Sequence, residues 1–127
     1  MADELFDTGI AIREEMFGAE HGLKKVEAAD EFTRPFEDLV TNYCFGATWS
    51  RGGLSRAERS MITLAMLVAL GRPWEIKVHT QGAIANGVTK EQIREICLQA
   101  AIYAGVPAAG EGFRSAGEVL KNLEDAA

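Results

Sequence analysis

Apolar residues recur at helical spacing along nearly the whole chain, and the breaks between the runs fall on glycine and proline. In the opening segment Phe6, Ile10 and Phe17, with Leu5, Ile12 and Met16 alongside, lie near a 3.6-residue period, and Gly18 follows as a stop. Ala19 to Asp30 is polar, with one short amphipathic turn around Leu23 and Val26, and reads as a connector carrying a weak helix. Thr33 then offers an N-cap with Pro35 in the first turn. Phe36, Leu39, Val40, Tyr43 and Ala47 follow at i, i+3, i+4, i+7 and i+11, which predicts a strong amphipathic helix.

Gly46 to Gly53 is expected to be a loop containing Trp49 and Arg51, with Gly52-Gly53 as its breaker. Ser55-Arg56-Ala57-Glu58 has the form of a capping box, in which hydroxyl and carboxylate satisfy the first orphan N–H groups of a helix. It opens onto Met61 to Leu70, a run apolar all round apart from Thr63, and such a helix is expected to be buried. Gly71 ends it, Pro73 starts the next helix, and Asn86-Gly87 closes that one. Thr89 to Gln92 repeats the capping-box pattern before Ile93, Ile96, Cys97, Ala100 and Ala104, with Gly105 as stop. Pro107 opens a last helix with the stripe Ala109, Phe113, Ala116, Leu120 and Leu123. No alternating run long enough for a strand occurs, so the expected class is all-α: six or seven helices in a single domain over residues 1–127. The helices Arg56 to Leu70 and Lys90 to Ala104 carry more apolar surface than one small bundle covers, which predicts a homo-oligomer.

Composition narrows the partners. With 13 Lys+Arg against 19 Asp+Glu the chain carries a net charge of −6, against nucleic acid or an anionic membrane as principal partner. At 47% hydrophobic residues a core is affordable and disorder is excluded as the main state. The opening Met1-Ala2-Asp3-Glu4-Leu5 has neither a basic region nor an apolar one, so no secretory signal is read there. Cys44 and Cys97 are far apart and form no CxxC, and they read as reduced core thiols in a cytoplasmic protein.

Candidate chemistry gathers at a few places. Glu75 precedes His79 by four residues on one helix, a spacing at which a carboxylate can orient an imidazole and stabilise its protonated form; an ordinary exposed i,i+4 pair has the same spacing. His21, in the polar connector, reads as a solvated surface residue. Arg51, Arg56 and Arg59 cluster around a helix start, where cations oppose the dipole. An anionic ligand would account for them, as would pairing with the chain's many acidic groups. Trp49, Trp74 and Tyr103 are candidate walls of a small pocket, each also suited to core packing. One helical His with one Glu makes at most half a metal site, so no metal is expected, and no glycine-rich loop follows a strand, so a dinucleotide fingerprint is absent.

The stretch from Trp49-Ser-Arg51 through Gly71, followed by His79, Asn86-Gly87-Val88-Thr89 and Leu98-Gln99-Ala100-Ala101-Ile102-Tyr103-Ala104-Gly105-Val106-Pro107, resembles the carboxymuconolactone decarboxylase family. Departures from the family pattern fall at Gly52 and at Gly110-Glu111-Gly112. The resemblance implies the all-helical fold shared with alkyl hydroperoxidase D-like proteins, an assembly such as a hexamer or trimer, and cofactor-free decarboxylation of 4-carboxymuconolactone in aromatic catabolism. It implies a small anionic lactone as substrate. Set against that chemistry, His79 and Glu75 become the catalytic candidates, and Arg51, Arg56, Arg59, Trp49 and Tyr103 the substrate-binding ones. The related peroxidases use a CxxC whose second Cys lies four residues before the His; here those positions are Arg72 and Glu75, which disfavours thiol chemistry. A non-enzymatic helical assembly that binds a small acid is the other reading.

Overall fold

The computed structural model describes residues 2–127, so Met1 of the acidic opening lies outside them. Among the described residues there are seven α-helices, a 3₁₀ turn and a π-helix, with no strand. They form two compact units, one ending at Ser55 and one spanning Arg56–Ala127.

The first unit contains α1 (Ala2–Phe17), the 3₁₀ turn Ala19–His21, α2 (Leu23–Ala28), α3 (Arg34–Leu39) and, continuous with α3, the π-helix Val40–Trp49. Helix α1 packs along the π-helix, burying Gly9, Ile12, Arg13, Met16 and Phe17. The buried guanidinium is only 5% exposed, and its three nitrogens are all engaged. Nη2 donates to Glu37 Oε1 at 3.0 Å, Nη1 to Thr41 Oγ1 at 2.9 Å and Nε to the His21 carbonyl at 3.0 Å.

Three expectations are corrected in this unit. The helix that begins at Arg34 turns Glu37 and Thr41 inward, while Phe36, Leu39 and Tyr43 of the expected apolar stripe are exposed, Phe36 at 63%. The reason is that a buried cation on α1 requires its acceptors inside. Secondly, Thr33 occupies the N-cap position without capping: its N–H and hydroxyl both donate to Asp30 Oδ1 at 2.9 Å. Thirdly, the expected loop at Gly46 is helical as far as Trp49, because Phe45 meets Phe17 edge-on and stacks on Trp49, 5.8 Å between ring centroids in each pair, which holds the winding to its end. Cys44 is exposed on this helix and is not a core thiol.

The second unit is built from α4 (Arg56–Leu70), α5 (Pro73–Ala85), α6 (Lys90–Tyr103) and α7 (Val106–Ala126). Its core joins Leu64, Val68, Ile76, Ala83, Val88, Ile93, Cys97, Ala100 and Ala116. Each Leu or Ile buried there contributes roughly 1.5–3 kcal/mol. The capping box at Thr89 is complete, with Gln92 N–H donating to Thr89 Oγ1 and Thr89 N–H to Gln92 Oε1. Gly71 and Gly87 take positive φ, 69° and 92°, the left-handed geometry that ends α4 and α5.

Two apolar expectations change here. Only Ser60, Leu64 and Val68 of α4 are buried, and Met66 is 59% exposed, so α4 is not enclosed within one chain. On α7 the inward places go to Ala109, Gly112, Ser115 and Ala116, with Phe113 and Leu123 outside. A Cβ at Gly112 would stand 3.0 Å from Val68 Cγ2 and 3.2 Å from Cys97 Sγ, so the missing side chain lets α7 approach the core. No helix of the described residues is long and apolar enough to cross a membrane.

Candidate active site

Helix α5 carries the Glu75–His79 pair. Pro73 starts the helix with its fixed φ, and Glu75 follows in the first turn, where the dipole favours a carboxylate. His79 is one turn further on. Both side chains are partly buried, so they are not a solvated surface pair. Burial pushes the His79 pKa below its ordinary 6.5, and the charge of Glu75 pulls upward by less. Glu75 acts on the ring through its charge. Burial thus favours the neutral imidazole, and an added negative charge nearby would draw a proton onto it.

Arg56 and Arg59 stand three residues apart in the first turns of α4, both partly buried. Next to Arg59, the buried Ser60 hydroxyl accepts from Asn86 Nδ2 at 2.9 Å. That bond brings the start of α4 beside the end of α5. His79 is seven residues before Asn86, about 10 Å along the helix at 1.5 Å per residue.

Tyr103 is placed elsewhere. It is 85% exposed at the end of α6, on an open groove of about 790 Å³ lined by Met61, Ile62 and Ala65 of α4 and by Ile96 and Ala100 of α6. Arg56, Arg59, Glu75 and His79 do not line that groove. Trp74 is also exposed. In the first unit, Trp49 is 7% exposed and ends the π-helix, stacked on Phe45. Arg51 follows in an exposed turn, its N–H donating to the Thr48 carbonyl at 3.1 Å. His21 is exposed, its ring edge-on to Phe17.

Among the described residues no three His, Cys, Asp or Glu side chains are grouped to hold a metal ion. Cys97 is buried and its thiol is pushed up by that burial, away from the thiolate that redox chemistry needs. Gly112, within the Gly110-Glu111-Gly112 departure, serves packing against Val68 and Cys97. Sequence reasoning missed the Arg13–Glu37–Thr41 network. The available signal was Arg13 lying on the inward face of α1 with Gly9, Ile12 and Met16.

The described residues thus make an all-helical chain with a histidine and a carboxylate on one helix, arginines at the start of its neighbour and no metal-ligating cluster. The chain belongs to the carboxymuconolactone decarboxylase family, whose model matches residues 34–118. It is 36% identical over 121 residues to a 4-carboxymuconolactone decarboxylase of Acinetobacter baylyi, covering 95% of this chain and 90% of that protein. A nitrosuccinic acid decarboxylase of Metarhizium robertsii is 38% identical over 121 residues, covering 95% of this chain and 85% of that one. An uncharacterized 15.0 kDa protein of Paracoccus denitrificans is 31% identical over 84 residues, covering 64% of this chain and 62% of that one.

Proposed function

We propose that this chain is a cofactor-free decarboxylase of 4-carboxymuconolactone, releasing CO2 and the enol-lactone of 3-oxoadipate. The observation that carries the reading is His79, partly buried, its neutral form favoured by that burial, one turn from the carboxylate of Glu75. Similarity over 95% of the chain to a decarboxylase named for this lactone supports it.

The substrate supplies its own electron sink. When the C–C bond to the ring carboxylate breaks, its electron pair forms a new ring double bond, and the former alkene pair moves toward the lactone carbonyl. The carbon beside that carbonyl then takes a proton, giving the enol-lactone and neutral CO2. In this reading the dianionic lactone raises the pKa of His79 on binding, so the donor is loaded by the substrate it serves. Glu75 supports the imidazolium. Arg51, Arg56 and Arg59 hold the acetate arm and the charge arriving on the lactone oxygen. Trp49 excludes water from the departing carboxylate. The exposed apolar residues Met66, Ile102 and Tyr103 support assembly of several copies, as a trimer or hexamer, in the cytoplasm.

The relative named for nitrosuccinic acid favours a second reading. A carboxylate beside a nitro-bearing carbon also leaves its electrons in an internal sink, and the same arginines and proton donor would serve. Ultraviolet-monitored decay of each acid, run side by side with the purified chain, tests the choice. The expected result is faster turnover of the lactone, and turnover of nitrosuccinate alone selects the second reading. Turnover of neither overturns both.

A further inference from the structure

The π-helix Val40–Trp49 runs for ten residues, whereas this winding is usually confined to single-turn bulges. Its i→i+5 bonds turn each residue through a smaller angle than the ~100° of an α-helix, so residues four apart stay on one face. Glu37, Thr41, Phe45 and Trp49 are four apart and all buried. Under α-helical winding three such steps drift by about 120°, and Trp49 would leave the face that Glu37 begins.

Two kinds of contact hold this winding against α1, and Thr41 takes part in both. One is steric. A Cβ on Gly9 would stand 2.0 Å from the Thr41 carbonyl oxygen, and one on Gly46 would stand 2.4 Å from that of Leu5, so the two backbones touch at both glycines. The other is polar. Arg13 reaches Thr41 Oγ1 inside the π-helix and Glu37 just before it, while its Nε fixes the 3₁₀ turn at His21. A buried guanidinium with Nε, Nη1 and Nη2 all engaged has no role toward a ligand of its own, and what it fixes is the path of the segment that ends at Trp49 and Arg51.

We infer that Arg13 is a positioning residue: through Thr41 it holds the π-helical winding and thereby sets where Trp49 and Arg51 are presented. The inference rests on the reading of Trp49 and Arg51 as substrate-binding groups, and adds to it a residue outside the binding set.

The test uses Thr41→Val, which keeps the shape and removes the acceptor, beside Thr41→Ser, which keeps the hydroxyl. Both are made in the full chain in a Trp74→Phe background, so that Trp49 is the only tryptophan reporting. Thr41→Val is expected to shift Trp49 emission to the red and to raise KM for the lactone roughly three- to tenfold with a smaller change in kcat. Thr41→Ser is expected to restore both. The KM effect should vanish when Arg51→Ala is already present. Unchanged emission overturns the inference, as does a loss of thermal stability alone. A shift in emission with no rise in KM, while Arg51→Ala itself raises KM, overturns it too. If Arg51→Ala leaves KM unaltered, the substrate-binding reading of Arg51 fails and the emission shift alone decides the role of Arg13. Should Thr41→Val not fold, Arg13→Lys, which keeps the charge for Glu37 and gives up the fork to Thr41, takes its place under the same criteria.

Discussion

In the second unit the interior is made of Leu64, Val68, Ile76, Ile93 and their neighbours, whereas in the first a charged pair, Arg13 and Glu37, sits inside with Thr41. Phe36, Leu39 and Tyr43 of the helix that supplies Glu37 face outward. Both regions are helical and both follow the 3.6-residue pattern closely enough to be found by it. They differ in which face goes in. Periodicity fixes the angle between an apolar and a polar stripe, and the inward choice is made by whatever the neighbouring helix presents. Where α1 presents a guanidinium, the polar stripe is the complementary one, and the apolar stripe is left for another surface to cover.

The largest effect expected from this contrast is on stability. Glu37→Ala leaves Arg13 buried without its carboxylate and should cost about 3–5 kcal/mol. Replacing Arg13 and Glu37 together by Met and Leu should recover most of that loss, since an apolar pair of similar volume has no charge to desolvate. Leu64→Ala in the other unit should cost about 2–5 kcal/mol through transfer and cavity terms. Urea unfolding of each purified variant provides the numbers. A Glu37→Ala cost below about 1 kcal/mol would mean that the ion pair does not organise the first unit.

A smaller effect on stability, with a larger one on size, is expected at the exposed apolar positions. Met66→Glu with Ile102→Glu changes residues that are 59% and 81% exposed in the single chain, so the fold should lose little. Light scattering is expected to show an oligomer for the unaltered chain and smaller species for the double variant. A monomer from the unaltered chain would remove assembly from the account.

Much of this was available from residue pattern alone. The helix stops at Gly71 and Gly87, the start of α5 at Pro73 and the capping box at Thr89 are local devices, written in neighbouring residues, and the structure has each where the pattern puts it. Which face of α3 lies inside was not available, because it depends on a side chain more than twenty residues away. The π-helical run to Trp49 was hidden for a related reason. Gly46 reads as the start of a loop, yet it serves as the point where α1 meets the helix backbone to backbone. Among site residues, the partnership of Glu75 with His79 could be read from spacing. The depression of the His79 pKa could not, since it comes from burial by other elements.

If His79 delivers the proton to the decarboxylated lactone, the direct measurement is the kcat of His79→Ala by ultraviolet-monitored lactone decay. A fall of roughly 10²- to 10⁴-fold is expected, with a smaller change in KM. The donor must be protonated, and burial depresses its pKa in the free enzyme. In the unaltered chain kcat/KM should therefore rise as pH falls toward and below 6.5, while kcat, set by the substrate-loaded imidazole, should hold to higher pH. A folded His79→Ala variant that retains near-normal kcat would contradict the claim and leave His79 as a residue of the fold.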